Sequence, residues 1–175
     1  MRKDTLVWVG GAAAILAGVL RAMVAAAPDA GSEVARQSVY FIVDLLLLLG
    51  VIALYWQHHA ALGRAGACAF LLTIAGLLLV RSRCAVPGID LYPAGALSVA
   101  IGWVVLGLAW WRRSSGSPSV PLLLLLSLLL GVLSQFLGSA QTLFAASGVL
   151  FGAAMIEAGR RLLLIAANPS EKPTN

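Results

Sequence analysis

Residues 38–56 read SVYFIVDLLLLLGVIALYW, nineteen positions with one charged side chain, Asp44. As a helix rising 1.5 Å per residue this stretch is roughly 28 Å long, the thickness of a bilayer's hydrocarbon core. The rest of the chain has the same character. Of its 175 residues 61% are hydrophobic and 11% charged, with a mean hydropathy of +0.95. A water-soluble domain carries about 25% charged residues, so there is too little polar surface here to coat one.

Working outward from 38–56, five more apolar runs are bounded by polar or turn-forming segments, at about 6–27, 65–80, 91–111, 120–137 and 141–160. Pro28 and the polar stretch to Gln37 close the first, Gln57 to Arg64 form a short link, and Pro87-Gly88 marks a turn before the fourth. Pro93 falls in the first turn of the fourth run, where a missing N–H costs nothing. The segment from Arg112 to Ser119 has the composition of a linker, and only a few residues around Gly138 separate the last two runs. The predicted fold is all-α: a polytopic integral membrane protein, a bundle of six transmembrane helices in a single domain over residues 1–167. Residues 168–175 are expected to form a disordered cytoplasmic tail.

Basic residues set the orientation. Arg2, Lys3, Arg64, Arg112, Arg113, Arg160, Arg161 and Lys172 fall on one side of such a bundle, and Arg36, Arg81 and Arg83 on the other. Eight against three places both termini inside, in a multi-pass cell-membrane protein of the bacterial inner-membrane kind. Trp56, Trp110 and Trp111 at inner ends, with Tyr40 and Tyr92 at outer ends, fit aromatic belts. The net charge of +5 is explained by topology and anionic headgroups, so no nucleic-acid partner is expected. Arg2, Lys3 and the small residues Ala25 to Ala27 share features with a secretory signal peptide, but the apolar run is long for one and Arg21 interrupts it. Cys68 and Cys84 lie at opposite ends of the third run, about 24 Å apart along a helix, and are expected as free thiols.

Ionisable groups inside a span are costly and need a partner. Arg21 lies about six residues before the outer end of helix 1, and Asp44 about six after the outer start of helix 2. Six residues of helix is about 9 Å, so the two share a depth and are expected to pair. Gln135, Gln141, Tyr40, Tyr92 and Arg81 belong to the same outer level, with Arg83 and Asp90. Arginines, amides and tyrosines suit a small amphipathic or anionic ligand entering between helices 1, 2, 5 and 6. The plain alternative is a tether between helices 1 and 2, with loop-end arginines on headgroups.

Glu157 with Arg160 and Arg161, three and four residues on, shares one helix face and is expected to form a local ion pair. His58 and His59 are adjacent, so they diverge and cannot chelate one metal. No span holds a lysine, and no nucleophile triad, carboxylate pair, zinc motif or phosphate-binding loop is present. No catalytic residues, metal or cofactor are therefore assigned, and a non-enzymatic role is favoured.

Small residues line helix faces at four-residue spacing: Gly10, Ala14 and Gly18 in helix 1, Ala94, Ser98 and Gly102 in helix 4, Gly148 and Gly152 in helix 6. Such stripes let membrane helices approach closely. They serve packing within one chain or, for the helix 1 stripe, docking of a membrane partner or a second copy. Helix 5, with leucine at 122–126 and 128–130, is bulky and suits lipid. Helices 1–3 and 4–6 are candidate halves of a repeat, joined by the linker at Ser114–Ser119, although the sequence gives no residue-by-residue register. In size, span count and the stripe Gly10, Ala14, Gly18, the chain resembles the substrate-binding subunits of energy-coupling-factor vitamin transporters. That resemblance implies a ligand-binding transporter subunit docking its partner through helix 1.

Overall fold

A computed structural model describes residues 3–27, 32–82, 91–113, 118–137 and 140–167. Among them the regular structure is entirely helical. Helix α1 spans Lys3–Ala26. The helical run Glu33–Ser82 breaks at Gly63 into two spans, Glu33–Ala60 (α2) and Leu62–Arg81 (α3). Then follow α4, Tyr92–Arg113, α5, Ser119–Leu133, and α6, Ala140–Ala167. Helices α1 to α4 are each long and apolar enough to cross a membrane, and α5 is a shorter apolar helix of 15 residues. Arg83, Cys84, Asp90, the linker residues 114–117, Gly138 and the tail 168–175 lie outside the described residues.

The link expected at 57–64 is far tighter than its composition suggests. Gly63 adopts φ 60° and ψ −158°, a conformation open only to glycine, and the helices on either side continue almost up to it. The result is a hairpin. Tyr55 and Phe70, eight and seven residues from Gly63, stack with ring centroids 4.3 Å apart. Asp44 and Arg81, nineteen and eighteen residues from it, pair at the far end. Helix α5, by contrast, ends earlier than expected. The Ser134 hydroxyl donates to the Gly131 carbonyl at 2.7 Å, and residues 134–137 curl into tight turns before α6 begins.

Neighbours in sequence are neighbours in space, and α6 closes the ring by packing along α1. Small residues make these approaches possible. Gly10 lies against Ala53 and Gly50 against Ala14, which joins α1 to α2. On the next face of α1, Gly11 meets Gly159 and Gly18 meets Gly152, backbone to backbone. On the far side of the ring Gly76 and Gly95 make the same kind of contact between α3 and α4. Neutral hydroxyls tie α5 to α6: Ser127 donates to the Ser147 carbonyl at 2.9 Å and Ser147 to that of Ser127 at 2.8 Å.

The core is formed by Val43, Val51, Trp103, Leu106, Met155 and Leu162, among others, all nearly inaccessible. The outside is as apolar as the inside: Leu71 is 63% exposed, Leu78 66% and Leu122 60%. On α5, Leu122, Leu125, Leu126 and Leu129 face outward while Val120, Leu124 and Ser127 are buried. A surface of this kind is unstable in water and suited to acyl chains.

Candidate functional site at the Asp44 end of the bundle

The first turns of α2 place Tyr40 and Asp44 on one face, four residues apart, with Phe41 beside them. The carboxylate of Asp44 does not pair with Arg21 as the shared depth suggested. Its partner is Arg81, whose Nε donates to Oδ2 at 2.6 Å from the last turn of α3. The guanidinium of Arg81 also lies 5.5 Å from the Phe41 ring centroid. Hairpin geometry explains the correction. Once the chain reverses at Gly63, Arg81 lies opposite Asp44 on an adjacent helix and reaches it directly.

Arg21 is left with a different environment. Its Cζ lies 5.5 Å from the Tyr40 ring centroid and 5.8 Å from that of Phe144, so the guanidinium is flanked by rings from α2 and α6. A Cβ at Gly148 would only touch the same Cζ, at 3.9 Å, whereas it would lie 2.6 Å from the Ala25 Cβ, so the glycine serves the α1·α6 approach beside Arg21. Cation–π contacts of this kind contribute about 0.5–1 kcal/mol at exposed sites and more when desolvated. Such contacts require none of the five N–H donors of a guanidinium. Among the described residues no carboxylate, carbonyl or hydroxyl accepts from Arg21. Its charge still acts on Asp44 through space. Two guanidiniums beside one carboxylate leave this cluster one positive charge in excess.

The other outer-level residues are dispersed. Gln135 sits exposed on the turn after α5, where its amide donates weakly to the Ser134 hydroxyl at 3.4 Å. Gln141 is exposed in the first turn of α6 and Tyr92 at the start of α4. No hydrogen bond joins Gln135 or Gln141 to Arg21 or Asp44. The described concave surface at this end is lined by Glu33, Val34, Gln37, Ser38, Phe41 and Ile42, all from α2, and is an open face. The cluster therefore draws on α1, α2, α3 and α6, and α5 contributes none of its side chains. Phe41, Phe144 and Gly148 are its unforeseen members. Phe144 had a signal in the sequence: it lies in the first turns of helix 6, at the depth of Arg21 in helix 1.

At the opposite end Glu157 accepts from Arg160 at 2.8 and 3.0 Å and from Arg161 at 2.8 Å, the local pairing that the spacing predicts. Arg161 also donates to the Ser119 hydroxyl at 3.0 Å and lies over the Trp110 ring. Trp110, expected in an aromatic belt, is buried between that guanidinium and His58, whose ring is 5.3 Å away. Trp56 and Trp111 are exposed, as a belt requires. His58 and His59 do diverge: His58 is buried with its Nε2 unpartnered, and His59 Nδ1 lies 2.8 Å from the Trp56 carbonyl oxygen.

The small-residue stripe of helix 1 is occupied within the chain. Gly10 and Ala14 face α2, Gly18 faces α6, and Gly148 and Gly152 of α6 face Ala25 and Gly18 in return. The motif behind the likeness to vitamin-transporter subunits thus packs against helices of the same chain. No family model matches this chain, and no curated protein or solved structure is similar to it.

Proposed function

We propose that this is a non-enzymatic membrane protein of six spans that binds a small amphipathic anion at Arg21, from the outer side of a cell membrane. The observation that carries the proposal is the guanidinium of Arg21, held between Tyr40 and Phe144 and donating no hydrogen bond among the described residues. A phosphate or carboxylate can accept two of those donors at once, the strongest geometry open to an arginine. The apolar flank of the bundle beside it suits the ligand's hydrocarbon part. The basic residues support this orientation: Arg64, Arg112, Arg160 and Arg161 gather at the Glu157 end, which favours a cytoplasmic Glu157 end and an external Asp44 end.

Dodecyl phosphate and dodecylphosphocholine are suitable probes, because they share a chain and differ in net charge. The purified protein in neutral detergent should gain thermal stability with the phosphate and much less with the phosphocholine. Arg21→Gln should remove the difference and Arg21→Lys should keep part of it, since lysine retains the charge without the fork. An equal shift with both amphiphiles, or one that survives in Arg21→Gln, would show that the anion does not use this arginine.

A further inference from the structure

The two halves of the chain repeat the same contacts with reversed direction. A shift of 84 residues takes Gly11, Ile15 and Gly18 of α1 to Gly95, Val99 and Gly102 of α4. A shift of 83 takes Ala69, Thr73 and Gly76 of α3 to Gly152, Ile156 and Gly159 of α6. Their contacts correspond one for one. A Cβ at Gly159 would meet the Gly11 carbonyl and Ile15, and one at Gly76 would meet the Gly95 carbonyl and Val99. Gly18 faces the Gly152 carbonyl and Ile156, and Gly102 faces the Ala69 carbonyl and Thr73. With this register known, residues 8–18, WVGGAAAILAG, align with residues 92–102, YPAGALSVAIG. Three helices per unit is an odd number, so the second unit runs through the bundle opposite to the first. The boundary between the units is the segment between α3 and α4. The Ser-rich linker lies inside the second unit, between α4 and α5.

Contacts within a unit differ in kind from contacts between units. Asp44–Arg81 clasps α2 to α3, while Ser127–Ser147 and Ser119–Arg161 clasp α5 to α6. In both units an arginine of the third helix reaches the second, although the register takes Arg81 to Leu164 rather than to Arg161. Between units, the α1·α6 and α3·α4 crossings are glycine contacts in which a side chain of the facing helix is seated on each glycine: Ile15 on Gly159, Ile156 on Gly18, Val99 on Gly76 and Thr73 on Gly102. Arg21 with Tyr40 belongs to the first unit and Phe144 with Gly148 to the second, so the candidate anion site lies on the dividing line. At the other end that line runs between His58 and Trp110.

We infer that the two inverted units rock against each other across the α1·α6 and α3·α4 crossings, opening the Asp44 end as the Glu157 end closes, and that the protein is an alternating-access carrier. Inverted repeats around a site at their interface are suited to this motion, because exchanging the conformations of the two units turns an outward-open form into an inward-open one. The cargo assignment rests on the Arg21 reading, but the motion itself does not.

Distance measurements between spin labels test the motion without a ligand. In the full chain carrying Cys68→Ser and Cys84→Ser, Val34→Cys with Gln141→Cys spans the units at the Asp44 end. His59→Cys with Ala167→Cys spans them at the Glu157 end. In phospholipid nanodiscs each pair should give two resolved distance populations. Phe144→Ala should enrich the longer distance at the Asp44 end and the shorter one at the Glu157 end several-fold. His58→Ala should do the reverse. Phe144 is 42% exposed, so its truncation opens no cavity and the first variant is decisive if the second folds poorly. One unshifted distance at each end, or both ends moving in the same sense, would overturn the rocking motion. Should dodecyl phosphate still bind such a rigid bundle through Arg21, the binding proposal stands and the carrier falls.

Discussion

The α2–α3 hairpin reverses at one residue, Gly63, and is clasped by a charge pair far from its turn, whereas α5–α6 reverses beyond residue 133 and is clasped by two serines halfway along α5. Depth accounts for the difference. Asp44 and Arg81 sit near the end of the bundle, with 20% and 30% of their side chains accessible, where headgroups and water can share the cost of charge. Ser127 is buried in mid-helix, and there a neutral hydroxyl bonded to a carbonyl replaces an ion pair. The two hairpins thus use different chemistry, while the glycine crossings between units are alike.

The largest effect should come from those crossings. Gly18→Leu and Gly102→Leu each force a side chain into the backbone of the facing helix and should cost at least about 3 kcal/mol, with similar losses at the two sites. Thermal unfolding in detergent would measure both, and a large inequality would mean that the crossings are not equivalent. Arg81→Ala takes from a partly accessible Asp44 its hydrogen-bonded partner and should cost about 1–3 kcal/mol, most of it recovered in Asp44→Asn/Arg81→Gln. Its counterpart Arg161→Ala leaves Glu157 paired with Arg160 and should cost about 1 kcal/mol or less. Equal losses for the two arginines would remove the distinction between the hairpins.

Gly63→Ala isolates backbone conformation, because a Cβ there would meet nothing within 4 Å. It should destabilise by about 2 kcal/mol through strain alone, and an unchanged melting temperature would mean that the reversal does not depend on that glycine. Ser127→Ala should be mildest, about 0.6–1 kcal/mol for interhelical hydrogen bonds in a membrane bundle. A larger loss would make the serine pair as important to its hairpin as Asp44–Arg81 is to the other.

Residues 38–56 alone were enough to indicate membrane-length helices, and the spacing of Glu157, Arg160 and Arg161 was enough to pair them. Both follow from local periodicity, which a linear chain displays directly. Which arginine meets Asp44 could not be read the same way. Arg21 and Arg81 are both reachable by depth, and the choice turns on how sharply Gly63 reverses the chain. Likewise Gly10, Ala14 and Gly18 announce a close contact without naming the helix that makes it, and Trp110 has the composition of a belt residue until α2 and α6 enclose it. The inverted register was also latent in residues 8–18 and 92–102, but two short glycine-containing segments are too common to align until their contacts are seen to match. Apolar length and charge placement are properties of the chain and fixed the helices. Choice of neighbour is a property of packing in three dimensions, and it alone decided where each charge came to rest.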